Sequence, residues 1–280
     1  MKKTAIVYDF DKTLCTKDMQ EYSLIPTLGY DDPGLFWKRV SEIRRSGNMD
    51  SISAYLYLLQ KEFAAQNMPL RREMFKDIGN TIVWYEGVED WFERINTYGR
   101  EKGLEIEHYI ISSGMAEIIE NTSIARHFRK IYACRYLYDE KGEAVWPAHI
   151  INYTTKTQYI FRINKQVLDE GDDDSLNEYV PMDRRPVPFE RMIYIADGMT
   201  DVPCMRTVRS YGGKSIAVYN REIERAREVA MRLIHDHRAD FIAEADYREG
   251  SFMDRLVRRI IDQMAAAVLL EEMEGSRENG

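Results

Sequence analysis

Three short apolar runs of the sequence each end directly in polar functional residues, and this arrangement limits the folds that the chain can adopt. The runs are residues 5–8 before Asp9-Phe10-Asp11, residues 109–111 before Ser112-Ser113-Gly114, and residues 194–196 before Asp197-Gly198-Met199-Thr200-Asp201. Uniformly apolar runs of this length are typical of strands that are buried on both faces of a parallel sheet. Because ligands bind outside the carboxyl ends of such strands, we expect the three polar clusters to lie close together.

Further apolar runs at residues 216–219 and 241–243, with helical patterns between the runs, favour a doubly wound α/β fold. The helices would supply the crossover connections that parallel strands require. A glycine at position 142, between residues 136–138 and 144–146, indicates a hairpin. We therefore predict a Rossmann-like parallel sheet with a hairpin attached to it.

The segment of residues 16–84 has a different pattern, because strand-like runs disappear and apolar residues recur at helical spacing. It is predicted to be a helical insertion after the first strand, so that residues 1–15 and 85–280 form a discontinuous core. Residues 169–190 are predicted to be an irregular acidic surface excursion, to which we assign no chemistry. Residues 271–280 are predicted to be a frayed tail.

Charge and cysteine content argue against several classes of protein. The 280 residues include 39 Lys and Arg against 47 Asp and Glu, a formal net charge of −8, which disfavours nucleic-acid binding over a broad surface. No apolar run approaches the roughly 20 residues of a membrane-spanning helix, and no export segment is visible. Cys15, Cys134 and Cys204 are widely spaced and odd in number, which favours a reducing cytoplasm without disulfides. The sequence gives no indication of the oligomeric state.

Four carboxylates would converge at the carboxyl ends of the predicted strands, those of Asp9, Asp11, Asp197 and Asp201. They would repel one another without a cation, and a set of oxygen ligands suits a hard ion such as Mg²⁺. A bound Mg²⁺ also ligates phosphate oxygens and offsets the repulsion between a carboxylate and an anionic substrate. The sequence therefore predicts a site for a metal ion and a small phosphorylated metabolite.

Two further groups are predicted to bind the phosphate. The hydroxyl and backbone N–H groups of Ser112-Ser113-Gly114 would open a helix that continues through residues 118–119, and a helix N-terminus is a ready anion site. Lys156 would lie in the first turn of another helix, because Thr155 and Gln158 match a capping box. A lysine is slightly unfavourable at that end of a helix, which makes sense if its ammonium faces a phosphate.

These motifs, in this order, make the chain similar to the haloacid dehalogenase superfamily of phosphotransferases, and within it to the phosphoserine phosphatase-like group. The four matching motifs are Asp9-Phe10-Asp11-Lys12-Thr13-Leu14, Ile111-Ser112-Ser113-Gly114, Lys156, and Asp197-Gly198-Met199-Thr200-Asp201. Four motifs in order are far more specific than any one of them. The insertion at residues 16–84 resembles the small helical cap of that group, folded over the catalytic face.

The resemblance implies a phosphoryl transfer in two steps. Asp9 would attack phosphorus to form an aspartyl phosphate, a covalent intermediate that divides one hard displacement into two. Asp11 would protonate the leaving oxygen and then assist the attack of water. Asp9, Asp197 and the backbone carbonyl of Asp11 would ligate Mg²⁺, with Asp201 ligating directly or holding metal-bound water.

The same resemblance bears on how the substrate is held. Ser112 and Lys156 would stabilise the oxygens of the transferring phosphoryl group. Asp18 falls nine positions after Asp9, where phosphoserine phosphatases carry a glutamate facing the substrate, and an acidic group there would receive a substrate ammonium. No arginine of the cap matches the group that binds the substrate carboxylate, and Ser113 replaces the usual glycine.

The predicted activity is that of a cytoplasmic, Mg²⁺-dependent phosphomonoester phosphatase, with phosphoserine or an amino-alcohol phosphate as the candidate substrates. Asp11 favours phosphatase or mutase chemistry, since dehalogenating relatives lack this acid/base and ATPase relatives carry Thr there. Two alternatives stay open, namely a phosphotransferase or phosphomutase, and a catalytically silent binding protein on the same scaffold. The aromatic residues Trp37, Tyr55 and Tyr57 either line a substrate pocket or, as the favoured interpretation, pack in the core of the cap.

Overall fold

The structure, a computed structural model, describes residues 1–278 of the chain, in which seven strands form one sheet. The strands are β1 (Lys2–Tyr8), β2 (Leu104–Met115), β3 (Phe128–Tyr138), β4 (Ala144–His149), β5 (Met192–Ala196), β6 (Lys214–Tyr219) and β7 (Phe241–Glu244). Their order across the sheet is β4-β3-β2-β1-β5-β6-β7, and every pair of neighbours is parallel except β3 and β4, which form the predicted hairpin. The predicted Rossmann-like α/β fold is confirmed.

The order of the strands places β1 between the two halves of the sheet. The chain moves outwards from β1 to β2 and β3, and later adds β5, β6 and β7 on the other side of β1. The carboxyl ends of β2, β1 and β5 are therefore adjacent at the point where the strand order reverses, which is where open parallel sheets bind ligands. Ile6, Ile110 and Ile195 of these strands are fully buried, as their uniformly apolar runs predicted.

Eleven α-helices accompany the sheet in the described part of the chain. They are α1 (Leu24–Thr27), α2 (Pro33–Ser46), α3 (Ser51–Ala65), α4 (Met74–Gly79), α5 (Val88–Glu101), α6 (Ala116–Ile119), α7 (Lys156–Lys165), α8 (Asp173–Asn177), α9 (Val202–Ser210), α10 (Glu224–His235) and α11 (Phe252–Glu278). Across residues 1–278, no helix combines the length and apolar character that spanning a membrane requires.

The insertion after β1 contains α1 to α4 and no strand of the sheet, in agreement with its helical sequence pattern. Its two long helices begin at aspartates that cap them. The carboxylate of Asp32 accepts a hydrogen bond from the N–H of Gly34 at the start of α2, and that of Asp50 accepts from the N–H groups of Ile52 and Ser53 at the start of α3. Residues 16–84 are called the cap below, and the division of the chain into cap and core stays a prediction.

The two chain crossings between cap and core run side by side. Cys15 and Trp84 form an antiparallel bridge next to the predicted limits of the cap. A loop after β7 holds both crossings, because Tyr247 donates its hydroxyl to the carbonyl of Thr13 and its N–H to the carbonyl of Glu86, each at 2.8 Å. The cap is thus attached to the core through a short, hydrogen-bonded pair of segments.

The acidic excursion at residues 169–190 is organised by basic side chains of α7. Arg162 is buried, and it donates to three backbone carbonyls within residues 169–172 and to the carboxylate of Asp173 at 2.6 Å. Lys165 donates to two further carbonyls of the excursion. The excursion therefore packs on the helix that carries Lys165 and is not an independent acidic surface.

Two predicted boundaries differ from the structure. Helix α6 begins at Ala116, because β2 stays extended through Gly114, and it has only four residues. Helix α11 runs to Glu278, so residues 271–278 are helical where a frayed tail was expected, and their Glu and Met residues have high helix propensity. The remaining residues of the expected tail, 279–280, lie outside the described residues.

Candidate active site

The carboxyl ends of β1, β2 and β5 bring the predicted catalytic residues to one crevice. Asp9 follows β1 directly, and its N–H donates to the carbonyl of Ile195 in β5 at 3.0 Å, which holds these two strand ends together. Asp197 follows β5, and Ser113 lies near the end of β2. The polar clusters that are distant in the sequence therefore meet, as the fold prediction required.

Asp9, Asp197 and Asp201 form an acidic cluster. One carboxylate oxygen of each residue lies within 4.8 Å of the others. Asp9 is only 6% exposed, and Asp201 is fully buried. Three carboxylates from two separate segments, at this spacing, are a donor set that suits a hard divalent cation. The residues present therefore fit the predicted Mg²⁺ site.

Lys156 reaches the same cluster from the start of α7. Its Nζ lies 3.0 Å from Asp9 Oδ1 and 2.7 Å from Asp201 Oδ1, and the side chain is 1% exposed. Burial alone would lower the pKa of Lys156, but the charges of Asp201 and Asp9 outweigh it and raise that pKa above its ordinary value. The hydroxyls of Tyr194 (2.7 Å) and Thr200 (2.9 Å) also donate to Asp201. A fixed positive charge thus lies beside Asp9.

Two carboxyl groups of the cluster, those of Asp9 and Asp197, have raised pKa values. Burial raises the pKa of Asp9 well above its ordinary value, and the charge of Asp201 raises it further. Burial, followed by the charge of Asp201, also raises the pKa of Asp197 to about 7. A divalent cation would favour the ionised carboxylates and offset these effects.

Asp11 is oriented by the cap. Its Oδ1 accepts a hydrogen bond at 2.8 Å from the backbone N–H of Met19, which lies in a 3₁₀ turn (Met19–Glu21) of the cap. Burial raises the pKa of Asp11 well above its ordinary value, and the charges of Asp18 and Asp9 add to this rise. A carboxyl group that keeps its proton at higher pH is suited to protonating a leaving group.

The predicted phosphate-binding residues lie near the carboxyl end of β2, where Ser113 lines the cleft, and they do not open a helix. Ser112 is fully buried, and its hydroxyl accepts a hydrogen bond from the N–H of Gly114 at 2.9 Å. Ser113 lines the cleft, and its buried Oγ has no hydrogen-bond partner within residues 1–278. A Cβ on Gly114 would lie 2.0 Å from the Met19 Cε, so this glycine permits the close approach of the cap. The prediction that these residues open a helix that binds the phosphate is wrong, because α6 starts only at Ala116.

Lys156 does occupy the first turn of α7, although the predicted capping box does not form. Thr155 has a helical backbone (φ −72°, ψ −20°) and makes no capping hydrogen bond, whereas a cap needs non-helical geometry. The side-chain oxygen of Asn152 instead accepts from the N–H groups of Thr154 (3.0 Å) and Thr155 (2.9 Å). An Asx-type turn therefore precedes the helix that positions Lys156.

Asp18, the predicted contact for a substrate ammonium, also lines the cleft, but it has a partner. Lys12 Nζ lies 2.5 Å from Asp18 Oδ2. Lys12 has a φ of 55°, in the left-handed region that non-glycine residues seldom adopt, and it directly follows Asp11. The pair largely neutralises the charge of Asp18 within the protein.

The cap and the core enclose a cleft of about 430 Å³ over the acidic cluster. Its floor includes Asp9, Asp11, Lys156 and Asp197. Its cap wall is formed by the α2 and α3 residues Trp37, Val40, Ser41, Ser51, Ile52 and Tyr55, and Asp18 and Gln20 of the cap also line the cleft. Trp37 and Tyr55 therefore line the cleft and also pack against each other, with ring centroids 6.1 Å apart. Tyr57 lies outside the lining and is 48% exposed.

Comparisons with known proteins agree with this geometry. A model of the haloacid dehalogenase-like hydrolase family matches residues 6–206, from the first strand to just past the second acidic motif. The chain belongs to the haloacid dehalogenase-like hydrolase family. A protein of Borreliella burgdorferi, described as uncharacterized, is 25% identical to it over 299 residues, covering 94% of this chain and 97% of that protein.

Solved structures of similar fold include phosphoserine phosphatases. A phospho-aspartyl intermediate analogue of phosphoserine phosphatase matches with a TM-score of 0.53 and 15% identity, covering 86% of this chain and 93% of that one. A probable phosphoserine phosphatase of Vibrio cholerae matches with a TM-score of 0.58 and 12% identity, covering 95% of this chain and 67% of that one. Identities this low establish that the haloacid dehalogenase-like fold is shared, and nothing about the substrate.

Three contributions to this haloacid dehalogenase-like site were not assigned from the sequence. Lys12 lies inside the first motif, so its position was a usable signal for a role at the cleft. Tyr194 lies within an apolar strand, and its bond to Asp201 depends on packing that no local pattern reveals. The N–H of Met19 orients Asp11 through the backbone, which carries no sequence signal.

Proposed function

We propose that this protein is a Mg²⁺-dependent phosphomonoester phosphatase that acts on a small phosphorylated metabolite through an aspartyl-phosphate intermediate. The candidate substrates are phosphoserine and amino-alcohol phosphates. The observation that carries the proposal is the position of Asp9, which lies 3.0 Å from Lys156, inside an acidic cluster, on the floor of a cleft under the cap. Membership of a hydrolase family supports it.

In the first step, a carboxylate oxygen of Asp9 attacks phosphorus, and the bond between phosphorus and the leaving oxygen breaks. Asp11 transfers its proton to that oxygen, so the product leaves as a neutral alcohol. The hydrogen bond from the N–H of Met19 fixes the orientation of Asp11. Lys156, held between Asp9 and Asp201, stabilises the negative charge of the phosphoryl oxygens without any rearrangement.

In the second step, the ionised Asp11 accepts a proton from water as the water oxygen attacks the phosphorus of the aspartyl phosphate. The bond between phosphorus and Asp9 breaks, which releases inorganic phosphate and restores both carboxyl groups. Ser112, Ser113 and Gly114 are assigned to the phosphoryl oxygens. A phosphoryl oxygen would give the buried, unpartnered hydroxyl of Ser113 its hydrogen bond.

The residues that would hold Mg²⁺ are Asp9, Asp197 and the backbone carbonyl of Asp11, with Asp201 ligating directly or through water. When bound, Mg²⁺ supplies Lewis-acid polarisation of a phosphoryl oxygen. Asp201 fixes the position of Lys156, because one of its oxygens accepts hydrogen bonds from both Lys156 and Tyr194.

The proposal is tested by turnover of p-nitrophenyl phosphate with Mg²⁺, with and without a chelator. We expect release of inorganic phosphate that stops on chelation and resumes when Mg²⁺ is returned. Product analysis in the presence of added alcohols distinguishes hydrolysis from transfer. Transfer to an added alcohol in preference to water would overturn the hydrolase assignment in favour of a phosphotransferase.

A cytoplasmic location belongs to the same proposal. Cys15, Cys134 and Cys204 are free and buried, which supports a protein that works in a reducing compartment. Fractionation of cells that produce the protein tests this assignment, with the expected activity in the soluble cytoplasmic fraction.

A further inference from the structure

The cap wall formed by α2 and α3 differs from the floor in that it carries no charged side chain, and Asp18, the charged cap residue of the lining, precedes these helices. Trp37, Val40, Ile52 and Tyr55 contribute aromatic and aliphatic surface, and Ser41 and Ser51 contribute hydroxyls. When the phosphate of a monoester occupies the floor, the wall is the surface left to contact the alcohol part. The wall therefore selects among leaving groups, and its chemistry indicates which of them fit.

The cations that line the cleft are both already paired. Among the lining residues, all of which lie in the described part of the chain, the basic side chains are Lys12 and Lys156. Lys156 lies between Asp9 and Asp201, and Lys12 is bound to Asp18 at 2.5 Å. A leaving group with a carboxylate would meet no unpaired cation, and desolvating such a charge without a partner is costly.

The aromatic part of the wall is arranged to attract positive charge. The indole N–H of Trp37 donates to Glu21 Oε1 at 2.8 Å, and a carboxylate bound to the indole edge increases the electron density of the ring. Tyr55 meets Trp37 edge-on, at an interplanar angle of 69°, and its hydroxyl donates to the carbonyl of Ser113 at 3.2 Å. Both rings are thus fixed, and a cation near the face of an electron-rich ring is stabilised.

We infer that the leaving group is a small organic cation without a carboxylate, so that the substrate class is the amino-alcohol phosphates and excludes phosphoserine. The inference rests on the proposed phosphatase activity and narrows its substrate. The ammonium group lies against the wall at Trp37, and the phosphate lies on the floor beside Asp9.

The test compares kcat/KM for four phosphomonoesters with the Mg²⁺-loaded enzyme. Phosphoethanolamine and phosphocholine carry a cation alone, phosphoserine carries a cation and a carboxylate, and glycerol phosphate carries neither. We expect phosphoethanolamine or phosphocholine to exceed phosphoserine by at least about tenfold, the ratio that corresponds to about 1.4 kcal/mol. Equal or higher kcat/KM for phosphoserine would overturn the inference.

Substitutions in the wall test whether the selectivity comes from these residues. Trp37→Leu should raise KM for phosphoethanolamine about tenfold, the scale of one desolvated cation–π contact, while changing KM for glycerol phosphate less than about threefold. Tyr57→Leu, on the same insertion but outside the cleft, is the matched control and should change neither value. Ser41→Arg places a cation in the wall and should shift the preference towards phosphoserine.

Turnover of p-nitrophenyl phosphate tests the phosphatase activity separately from the substrate class. Turnover of p-nitrophenyl phosphate without turnover of either amino-alcohol phosphate would leave the phosphatase proposal standing and overturn the substrate class. Loss of selectivity in Tyr57→Leu, or equal effects of Trp37→Leu on charged and neutral substrates, would also overturn it. A complete lack of phosphatase activity would remove the proposed function and this inference with it.

Discussion

The floor of the cleft and its cap wall hold their side chains in different ways. On the floor, Asp9 and Asp201 share Lys156, and Asp11 is fixed by a backbone N–H, so the charged groups there have specific polar partners. On the wall, Trp37 and Tyr55 are held by ring packing and by hydrogen bonds, from Trp37 to Glu21 and from Tyr55 to the carbonyl of Ser113. We therefore expect substitutions on the floor to remove the proposed reaction, and substitutions on the wall to alter substrate selectivity without removing it.

The largest effect is expected on the floor, from Asp9→Asn. An amide oxygen is a poor nucleophile, so kcat should fall by about 10³-fold or more on every substrate, while the fold persists because the two side chains have the same shape. Steady-state kinetics and a thermal melt measure the two properties. Asp31→Asn, an exposed position of the cap, is the matched control and should keep wild-type activity. Substantial activity in Asp9→Asn would show that another group is the nucleophile.

A second floor substitution, Asp11→Asn, should separate the two chemical steps. Nitrophenolate is a good leaving group that needs little protonation, so the first step should survive, whereas the attack of water should slow by about 10²- to 10⁴-fold. Rapid mixing with p-nitrophenyl phosphate is expected to show a burst of one nitrophenolate per enzyme, followed by slow turnover. A linear time course at the wild-type rate would contradict both roles of Asp11.

Metal binding should stabilise the floor and leave the wall unaffected. A ligand that binds only the folded state, at a concentration a hundredfold above its dissociation constant, raises the free energy of unfolding by about 2.7 kcal/mol. Mg²⁺ should therefore raise the melting temperature of the wild type and of Trp37→Leu equally, and the shift should be lost or much reduced in Asp197→Asn. An undiminished shift in Asp197→Asn would place the ion elsewhere.

The smallest effect on activity is expected beneath the floor, at His108. The Tyr8 hydroxyl lies 3.0 Å from His108 Nδ1, and Asn96 Oδ1 lies 3.0 Å from Nε2. Burial, with the charge of His127 adding to it, lowers the pKa of His108 to about 3. Below pH 6.5 His108 binds a proton in the unfolded chain but stays neutral in the folded protein. The free energy of unfolding therefore falls by up to about 1.4 kcal/mol per pH unit as the pH drops towards 3.

Replacement of His108 by Gln should remove the part of the loss of stability at acidic pH that protonation of this histidine causes. Urea unfolding at pH 7, 6 and 5 measures it, and the slope should be shallower in His108→Gln than in the wild type. Kinetic parameters at pH 7.5 should change less than about threefold, because the side chain lies outside the cleft. An unchanged slope would mean that other groups cause the acid loss.

The same contrast explains how much of the molecule could be predicted from the sequence. The floor was accessible because its residues follow buried strands, and the topology of a parallel sheet forces strand ends together. Asp9, Asp197 and Asp201 therefore meet although nearly 190 residues separate the first two. Lys156 was correctly predicted in the first turn of its helix, but the predicted cap was wrong, since the backbone N–H groups there donate to the side chain of Asn152.

The wall could not be predicted, because helices α2 and α3 can turn any of several faces towards the core. Trp37, Tyr55 and Tyr57 had equal standing as aromatic positions of the cap, yet only the first two line the cleft. The phosphate loop was misjudged for a related reason. Gly114 lies in the extended strand β2 with Met19 of the cap packed against it, a long-range contact that the local sequence pattern does not reveal.

Asp9 should become phosphorylated during turnover, and peptide mapping by mass spectrometry can detect the phosphoryl group on this residue. Asp11→Asn is mixed with p-nitrophenyl phosphate and Mg²⁺, quenched in acid during the burst, and digested. We expect one phosphoryl group per protein, located on Asp9 and absent from the Asp9→Asn protein treated in the same way. A phosphoryl group on another residue, or rapid hydrolysis with no covalent label at all, would contradict it.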